Sequence, residues 1–366
     1  DSVADTELNY VLLGGGSGTD SITAIGDASD NFGKVRTNFA MLQGDTYEVR
    51  AYGAELVNFS GGDGFNTGVM FDTAFDDEVV ATPEYVIVTG GALSFTLTGF
   101  SNVKVNAVYG GVDTARLYDS DGSDLLVAKP DRSRLEGDGF NNYVKGFEEV
   151  FAYASNGASD RAKIYDSIND DLLVSQPDWS RLTGDGFANY VEGFDRIYAY
   201  STAGGNDRAE MYDSAGDDSL TSKPEWTRMY GSGFNNFVKG FETTHAFATM
   251  GGNDRAKLFD SINDDLLTAD ASWTRMSGDG YANTAEGFDK VVSYARGGND
   301  RALFQGAVTG DSFLGRSSSA TVTRSLGLQV IYGFDDVAAY ADSDSETPSL
   351  ELRSIDYLFE SYGTWL

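Results

Sequence analysis

Carboxylates recur in short turns of this chain, in a pattern that suits a hard cation. Two turns read DSINDD, from Asp166 and from Asp260, one reads DSAGDD from Asp213, and one reads DSDGSD from Asp119. Calcium takes about six to eight oxygen ligands, which Asp carboxylates on Gly- and Asn-rich turns can supply. The sequence therefore predicts calcium sites, with these candidate ligands: Asp119, Asp121, Asp124, Asp166, Asp170, Asp171, Asp207, Asp213, Asp217, Asp218, Asp254, Asp260, Asp264 and Asp265.

Two other roles would explain the same carboxylates without a metal. Arginines follow the Asp that opens each repeat, and a second row of arginines lies further along: Arg161, Arg208, Arg255 and Arg301, then Arg134, Arg181, Arg228 and Arg275. Ladders of Asp and Arg would neutralise many carboxylates through charge-assisted hydrogen bonds. Asp and Asn side chains also accept hydrogen bonds from the backbone of their own turns. Both alternatives stay open at this level.

The acidic turns belong to a repeat. The segment 160–206 recurs from Asp207 and from Asp254 with a period of 47 residues, and looser copies open at Asp113 and Asp300. A fixed period of this length indicates a solenoid, a propeller or an array. Degenerate copies lie in 20–112, and half-units lie at 8–20 and from Ser349. We count about eight units in one domain, 1–366, with degenerate repeats at 1–112, regular repeats at 113–299 and degenerate repeats at 300–366.

Each unit is predicted to consist of short strands. Segments such as AKIYD, LLVSQ, WSRLTG and RIYAY are separated by clusters of Asn, Asp, Gly and Pro, which is typical of strands and turns. At about 3.3 Å per residue, 47 residues are too many for one coil with a filled core. We therefore expect an all-β, right-handed parallel β-helix with two rungs of 23–24 residues per repeat, the hand following the usual crossover. A seven- or eight-bladed β-propeller is the alternative, and the degenerate terminal repeats favour the solenoid.

In such a solenoid, residues one repeat apart are expected to lie in line. Three aromatic rows follow: Tyr118, Tyr165, Tyr212, Phe259 and Phe304; Phe147, Phe194, Phe241, Phe288 and Phe334; and Trp179, Trp226 and Trp273. Each in-register pair would contribute about 0.2–1 kcal/mol. Stacking in the core is the simpler interpretation, and an exposed sugar-stacking platform is the alternative. Equivalent Asp residues would lie about 10 Å apart in the same arrangement.

Composition restricts the partners. The chain has 366 residues, a formal net charge of −31 and 41% hydrophobic residues, so a phosphate backbone is not an expected partner. It has no cysteine, which excludes disulfides and thiol chemistry. It has no apolar run near the roughly 20 residues that a membrane-spanning helix needs, so no membrane insertion is expected. The first residue is Asp1 rather than Met, from which we expect removal of a secretion signal.

The acidic repeats resemble those of secreted bacterial β-solenoid proteins. GGND at 204–207 and 251–254 is similar to the haemolysin-type calcium repeat GGxGxDx, and residues 113–300 resemble longer repeats of the form DxAxLYDSxGDDxF. The resemblance implies a parallel β-solenoid, an extracellular or cell-surface location and calcium sites. The tandem nonapeptide of the haemolysin type is missing. Calcium is therefore expected to stabilise the fold without being obligatory.

Catalysis finds little support in these residues. The carboxylates are periodic, whereas an active site is a unique constellation. The one histidine, His245, takes the place of Phe151 and Tyr198 and is interpreted as a substitution within a strand. GDGF at 137–140 and 184–187 is interpreted as a turn, since it lacks the Lys of a phosphate loop. We therefore expect that the protein is not an enzyme.

The predicted function is that of an extracellular structural or adhesive repeat protein. The chain opens on a second half-unit and closes on a first half-unit, and both ends are apolar. Head-to-tail assembly of copies into a fibre or a surface layer is therefore expected, through exposed strand edges. The expected partners are other copies of the chain, and a polysaccharide or a cell surface. The alternative is a carbohydrate-active β-helix, either a polysaccharide lyase or hydrolase or a polysaccharide-binding module.

Overall fold

The computed structural model describes residues 10–155, 157, 159–343 and 346–366. Leu8 and Asn9 of the expected N-terminal half-unit therefore lie outside the described residues. The described chain is all-β, with 38 strands. It packs into two compact units. The first comprises residues 10–165 and Thr183–Asp195, and the second comprises Asp166–Leu182 and Arg196–Leu366.

The strands are short and follow one another closely. In chain order the first seventeen are β1 (Tyr10–Gly14), β2 (Ser21–Ile25), β3 (Phe32–Arg36), β4 (Phe39–Gln43), β5 (Glu48–Tyr52), β6 (Leu56–Ser60), β7 (Thr67–Phe71), β8 (Asp77–Ala81), β9 (Tyr85–Gly90), β10 (Leu93–Thr98), β11 (Asn102–Asn106), β12 (Thr114–Tyr118), β13 (Leu125–Lys129), β14 (Arg132–Gly137), β15 (Phe140–Lys145), β16 (Glu149–Tyr153) and β17 (Arg161–Tyr165). The next three are β18 (Leu172–Ser175), β19 (Trp179–Gly184) and β20 (Phe187–Glu192).

The remaining strands all belong to the second unit. They are β21 (Arg196–Tyr200), β22 (Arg208–Tyr212), β23 (Ser219–Lys223), β24 (Trp226–Gly231), β25 (Phe234–Lys239), β26 (Thr243–Phe247), β27 (Arg255–Phe259), β28 (Leu266–Ala269), β29 (Trp273–Gly278), β30 (Tyr281–Glu286), β31 (Lys290–Tyr294), β32 (Arg301–Ala307), β33 (Ser312–Ser317), β34 (Ser319–Arg324), β35 (Gly327–Tyr332), β36 (Asp336–Ala341), β37 (Ser349–Ile355) and β38 (Leu358–Tyr362).

One repeat consists of five strands. In the repeat that opens at Asp207, β22 is the first strand, β23, β24 and β25 form an antiparallel meander, and β26 is the fifth strand. The first and fifth strands lie side by side and parallel, with Arg208 opposite Thr243. Seven such repeats run in sequence from β2 to β36, preceded by β1 as a lone fifth strand and followed by β37 and β38. This agrees with the expected number of about eight units.

Successive repeats also pair in parallel, and this pairing makes each unit a β-solenoid. In the second unit β23 pairs with β27, β27 with β31 and β31 with β35, so that Ser219, Arg255, Lys290 and Leu328 follow one another across the sheet. The predicted all-β parallel solenoid is thus confirmed. The propeller alternative is wrong, because parallel strands of successive repeats share their backbone hydrogen bonds instead of forming separate blades.

Each unit contains two sheets, which we call sheet 1 and sheet 2. In the first unit, sheet 1 has the order β1-β5-β4-β3-β7-β11-β15-β14-β13-β17, and sheet 2 has the order β2-β6-β10-β9-β8-β12-β16-β20. In the second unit, sheet 1 has the order β21-β25-β24-β23-β27-β31-β35-β34-β33-β37, and sheet 2 has the order β18-β22-β26-β30-β29-β28-β32-β36-β38.

Successive repeats within a unit differ by half a turn of the coil. The meander of the repeat at Asp207 lies in sheet 1, and that of the repeat at Asp254 lies in sheet 2. The three strands of a meander stay in one sheet, so the five strands of a repeat make only three passes along the two sheets. Since two passes complete one turn of the coil, a repeat makes one and a half turns. The prediction of two rungs per repeat is wrong for this reason.

The half turn also overturns the predicted in-line rows of aromatic residues. Tyr212 lies in sheet 2, whereas Phe259, one repeat later, lies in sheet 1. The stacking partners are instead 35 residues apart, on the first and fifth strands of one repeat. Tyr212 stacks on Phe247 with ring centroids 4.9 Å apart, and Phe259 stacks on Tyr294 at 5.0 Å.

The core lies between the two sheets of each unit. Inward residues alternate with outward ones along every regular strand, as in β22 and β23, and most inward side chains are apolar. The phenylalanines of the second predicted row are buried, and they precede each fifth strand: Phe147, Phe194, Phe241, Phe288 and Phe334. Buried asparagines link successive repeats across the core, since Asn283 Nδ2 donates to the Lys223 carbonyl at 2.9 Å and Asn142 Nδ2 donates to the Thr82 carbonyl at 2.8 Å.

Candidate metal centre

The acidic turn between the first and second strands is held together by its own aspartates. Asp213 directly follows β22, and Asp218 directly precedes β23. The Ser214 N–H and hydroxyl both donate to Asp218 Oδ2 at 2.8 Å, and the Gly216 N–H donates to the Ser214 hydroxyl at 3.2 Å. These are the local side-chain bonds expected of Asp and Ser in turns. They fix the Asp218 carboxylate at the edge of the core.

A third aspartate comes from the following repeat. Asp254 precedes β27, and the parallel pairing of β23 with β27 places Asp254 beside Asp218. The Asp218 N–H donates to Asp254 Oδ1 at 2.8 Å. One carboxylate oxygen from each of Asp213, Asp218 and Asp254 lies within 4.8 Å of the other two, and all three residues are buried.

The same arrangement of three carboxylates, which we call an Asp triad, occurs three times among the described residues. The other two triads are Asp119 with Asp124 and Asp160 in the first unit, and Asp260 with Asp265 and Asp300 in the second. Asp160 and Asp300 were not among the predicted ligands. A signal for them exists in the sequence, since each opens a repeat directly before an arginine.

The other predicted ligands lie outside the triads. Asp166, Asp171 and Asp207 are buried at the equivalent turn of another repeat. There the Ser201 hydroxyl donates to Asp207 Oδ2 at 2.5 Å, and the Asp171 N–H donates to Asp207 Oδ1 at 2.7 Å. Each predicted turn loop also carries one exposed aspartate. It is the fifth residue of DSINDD and DSAGDD and the third residue of DSDGSD: Asp121, Asp170, Asp217 and Asp264. Three of these accept backbone N–H groups of the neighbouring turn, from Asn206, Asn253 and Asn299.

Burial makes the triads electrostatically unfavourable at neutral pH. Burial raises the pKa of Asp254 to about 6, and the carboxylates of Asp213, Asp218 and Asp289 add to the rise, whereas the hydrogen bond from the Asp218 N–H opposes it. The pKa of Asp300 is also raised to about 6, first by burial and then by Asp260 and Asp265. A nearby cation would relieve this cost, since it favours the charged form of each carboxyl group.

The arginine rows offer little of that relief where their ion pairs are seen. Arg208 pairs with Glu210 at 2.8 Å, two residues along the same strand. Arg134 pairs with Glu136 at 2.8 Å, and Arg301 pairs with Asp336 at 3.1 Å. These contacts lie on the outer faces of the sheets. The backbone role of the aspartates, by contrast, is present at every triad.

A neutral version of the arrangement occurs within the same chain. Near the N-terminus Asn31 and Asn66 take the places of Asp218 and Asp254, and Gly26 takes the place of Asp213. The Asn31 N–H donates to Asn66 Oδ1 at 2.8 Å, as the Asp218 N–H does to Asp254. The backbone link therefore needs a side-chain oxygen but no charge. The charge of the triads requires a separate explanation.

The geometry of a triad fits a divalent cation with oxygen ligands. Two ligand oxygens at about 2.3–2.6 Å from a calcium ion lie at most about 5 Å apart, and the triad oxygens lie within 4.8 Å of one another. Three carboxylates supply part of the coordination shell, and water or backbone carbonyls would complete it. In the second unit, the Asp213 triad lies where the chain passes from sheet 2 to sheet 1, and the Asp260 triad lies where it passes from sheet 1 to sheet 2. The two triads therefore lie at opposite edges of the solenoid. The predicted spacing of about 10 Å between them is therefore wrong.

The remaining sequence candidates take structural positions. His245 lies on β26, where its Nε2 is 2.8 Å from Glu286 Oε2 and its ring stacks on Phe247. The second glycine of each GDGF-type segment has a positive φ, for example 85° at Gly233 and 74° at Gly280, in two-residue turns between the third and fourth strands. None of the described segments forms a helix long and apolar enough to span a membrane.

The candidate metal ligands, the hairpin turns and the lone histidine therefore all occupy regular positions of one five-stranded repeat. The chain matches no known family model and no curated protein at a significant level.

Proposed function

We propose that this protein is a secreted structural and adhesive β-solenoid, that calcium stabilises it, and that it has no catalytic role. The observation that carries the proposal is the recurrence of a buried Asp triad at equivalent turns. Because the triad recurs with the repeat, its expected role is to stabilise the fold. The resemblance to secreted acidic repeat proteins supports the extracellular location.

Calcium is the cation that this chemistry favours. All ligand candidates are carboxylate oxygens, without a nitrogen or sulfur donor, and hard oxygen ligands suit calcium and magnesium. The triads sit on turns, and calcium accepts irregular geometry more readily than magnesium does. Ion binding to the folded state alone stabilises it in proportion to the logarithm of the ion concentration.

Titration with calcium tests the metal proposal directly. Thermal unfolding at pH 7.5 is measured with calcium, with magnesium and with a chelator, for the natural chain and for the triple variant Asp119→Asn, Asp213→Asn, Asp260→Asn. We expect calcium to raise the unfolding temperature of the natural chain by several degrees, and to have much less effect on the variant. Equal unfolding temperatures with calcium and with the chelator would contradict the proposal.

Strand edges support assembly from end to end. Inside each unit a first strand pairs with the fifth strand of its own repeat, as β27 does with β31. Among the described residues, β1 is a fifth strand that pairs with β5, and β37 is a first strand that pairs with β33. On the other edge of β37 the Leu350 N–H donates to the Leu366 carbonyl at 2.8 Å, so Leu366 covers the start of that edge. The rest of that edge in one copy is the natural neighbour of the outer edge of β1 in another, once Leu366 is displaced or accommodated. Open strand edges are the usual sites of such pairing.

A charged residue on the edge strand tests the assembly. Leu12 on β1 is 59% exposed, and a lysine there is expected to block edge-to-edge pairing. The control is Ile262→Lys, because Ile262 is 87% exposed on a turn. Electron microscopy should show fibres for the natural chain and for the control, and single particles for Leu12→Lys. Single particles in all three samples at high concentration would overturn the proposal.

A further inference from the structure

The outer face of sheet 1 in the second unit carries the opposite charge from the chain as a whole. The ten strands of this sheet contain ten of the 26 lysines and arginines of the chain, of which only Arg324 is buried, and one acidic residue, Glu351 on the terminal strand β37. Sheet 2 of the same unit has three arginines, Arg208, Arg275 and Arg301, and four acidic residues, Glu210, Glu286, Asp336 and Glu360. The positive charge of the second unit is therefore concentrated on one side.

The cations on this face form a continuous series. Six neighbouring strands, β21, β25, β24, β23, β27 and β31, each present at least one outward cation: Arg196, Lys239, Arg228, Lys223, Arg255 with Lys257, and Lys290. These positions alternate with buried residues, so all of these side chains lie on the outer side of the sheet. Neighbouring strands are about 4.8 Å apart. The pairing registers place the cations in three rows across the strands: Arg196, Arg255 and Lys290 at one end, Arg228 and Lys257 in the middle, and Lys239 and Lys223 at the other end. Each of the six strands thus carries a cation, without an acid between.

Aromatic side chains lie among the cations of this face. Tyr198, Trp226, Phe237 and Tyr230 lie on the same outer face. Arg196, Tyr198, Trp226, Arg228, Asn235 and Phe237 line a groove of about 360 Å³. The Trp226 and Phe237 rings stack at 5.7 Å, and Arg228 Nε donates to Asn235 Oδ1 at 2.8 Å, which fixes the guanidinium beside the rings. The equivalent places on β28–β30 hold Thr284 and Ala282 instead of Phe237 and Asn235, so the groove is not a general feature of the repeat.

We infer that this basic face binds an anionic polysaccharide with one negative charge on each sugar ring. A linear polymer of this kind repeats its charge at an interval close to one strand spacing, and guanidinium groups bind carboxylate and sulfate well. The groove at Trp226 would hold one sugar ring between aromatic and guanidinium surfaces. This inference names the ligand of the adhesive role proposed above and rests on that proposal.

The width of the face favours a single sugar chain over other polyanions. A five-residue strand is about 17 Å long, and acidic turns follow at both of its ends, with exposed carboxylates such as Asp217 and Asp264. A nucleic-acid duplex or an anionic membrane is broad enough to meet those carboxylates and be repelled. A single polysaccharide chain fits between the two rows of turns. At about 0.15 M salt the Debye length is about 8 Å, so the turns have little effect on the middle of the face.

Binding of polygalacturonate tests the inference. The assay is run in about 0.15 M salt with a chelator, on monomers, so that its outcome does not depend on calcium or on assembly. Methyl-esterified polygalacturonate and dextran are the uncharged comparisons, and single-stranded DNA and phosphatidylserine vesicles are the comparisons of other classes. We expect binding to polygalacturonate that weakens as salt increases, and at least tenfold weaker binding to every comparison.

Matched charge variants locate the site. The variant Arg196→Gln, Arg228→Gln, Lys257→Gln removes three exposed cations from the basic face. The control Arg208→Gln, Arg275→Gln, Arg301→Gln removes the same charge from sheet 2. We expect at least a tenfold loss of affinity for the first and less than a twofold change for the control, with both variants unfolding cooperatively. Equal losses, no binding by the natural chain, or stronger binding to DNA or vesicles would each overturn the inference.

Discussion

The backbone N–H of Asp218 donates a hydrogen bond to Oδ1 of Asp254, although the two side chains belong to the same group of buried carboxylates. The bond spans two repeats and lies next to the parallel pairing of β23 with β27. It holds the negative charge of Asp254 near two other negative charges. Each triad therefore combines a stabilising backbone link with an unfavourable charge, and the two effects can be separated by experiment.

Acidification is expected to stabilise the calcium-free protein. Asp113, Asp254 and Asp300 have pKa values raised from 3.8 to about 6, mainly by burial. Between these values the folded state binds more protons than the unfolded state, so the free energy of unfolding falls as pH rises through this window. Each pKa unit corresponds to about 1.4 kcal/mol. Urea unfolding in a chelator should give a higher midpoint at pH 5 than at pH 7.5.

Saturating calcium should weaken this pH dependence, since a bound ion offsets the negative charge of the buried carboxylates as bound protons do. A midpoint in chelator that is the same at pH 5 and pH 7.5, or lower at pH 5, would contradict the raised pKa values.

Substitution of Asp254 should separate its two roles. Asp254→Asn keeps a side-chain oxygen for the Asp218 N–H, as Asn66 does for Asn31. In a chelator at pH 7.5 we expect it to be as stable as the natural chain or more so, because a buried charge is removed. Asp254→Ala leaves the N–H without its acceptor and is expected to lose about 1–3 kcal/mol.

Urea unfolding of both Asp254 variants, with and without calcium, makes the comparison. The Asn variant should gain less from calcium than the natural chain. Equal destabilisation by Asn and Ala would show that the charge itself holds the turn.

A tyrosine at position 234 is expected to stabilise the fold. Asp218 Oδ1 is buried without a hydrogen-bond partner among the described residues, and it lies near the ring edge of Phe234. At the equivalent place Tyr281 donates its hydroxyl to Asp265 Oδ1 at 2.8 Å. Phe234→Tyr should therefore raise the free energy of unfolding by about 1 kcal/mol, and Tyr281→Phe should lower it by about 1–3 kcal/mol. Thermal unfolding of both variants checks the pair, and a destabilised Phe234→Tyr would refute the assignment.

Gly231 is expected to tolerate no side chain. A Cβ at this position would lie 1.7 Å from Asp218 Oδ1 and 2.7 Å from Cε1 of Phe234, both inside the packed core. Gly231→Ala should cost about 1–3 kcal/mol, as overpacking of a core does. Gly216→Ala is the control, because its Cβ would meet its nearest neighbour, the Ser214 hydroxyl, at 3.7 Å. The measurement is urea unfolding, and equal effects of the two substitutions would count against the described packing.

The link across the core can be tested at Asn283. This buried side chain donates Nδ2 to the Lys223 carbonyl at 2.9 Å, between residues 60 positions apart. Asn283→Leu leaves that carbonyl unpaired and is expected to lower the free energy of unfolding by about 1–3 kcal/mol. Asn253→Leu on an exposed turn is the control, and its effect should stay within about 0.5 kcal/mol. Hydrogen exchange of β23 and β24 would show whether the loss is local.

The sequence predicts the strands and the solenoid well, because both depend on local signals. Alternating apolar residues and Asn- or Gly-rich turns mark almost every strand, and the 47-residue period marks the stacking. The antiparallel meander was missed although its signal is present. Asp138-Gly139 is a two-residue link between β14 and β15, and Asp-Gly in such a link is a strong hairpin signal.

The composition of the triads could not be read from one turn. Asp213 and Asp218 are close in sequence, but Asp254 is placed beside them by the parallel pairing of β23 with β27, whose paired residues are 36 positions apart. That offset depends on the meander, which makes the repeat one and a half turns long. Without the meander, the sequence marks Asp254, Asp160 and Asp300 as the residues that open repeats, but it does not show which turn each one joins. The basic face was missed for the same reason, since its residues come from three different repeats.

The half turn between successive repeats restricts how such a chain can lengthen or shorten over evolutionary time. Gain or loss of a single module within a unit would move every later meander to the other sheet, so that residues such as Arg228 and Lys257 would exchange sides with Arg275 and Glu210. A sheet face of uniform charge is kept only if repeats are gained or lost two at a time. Homologous chains that keep the basic face should therefore differ in length by even numbers of repeats.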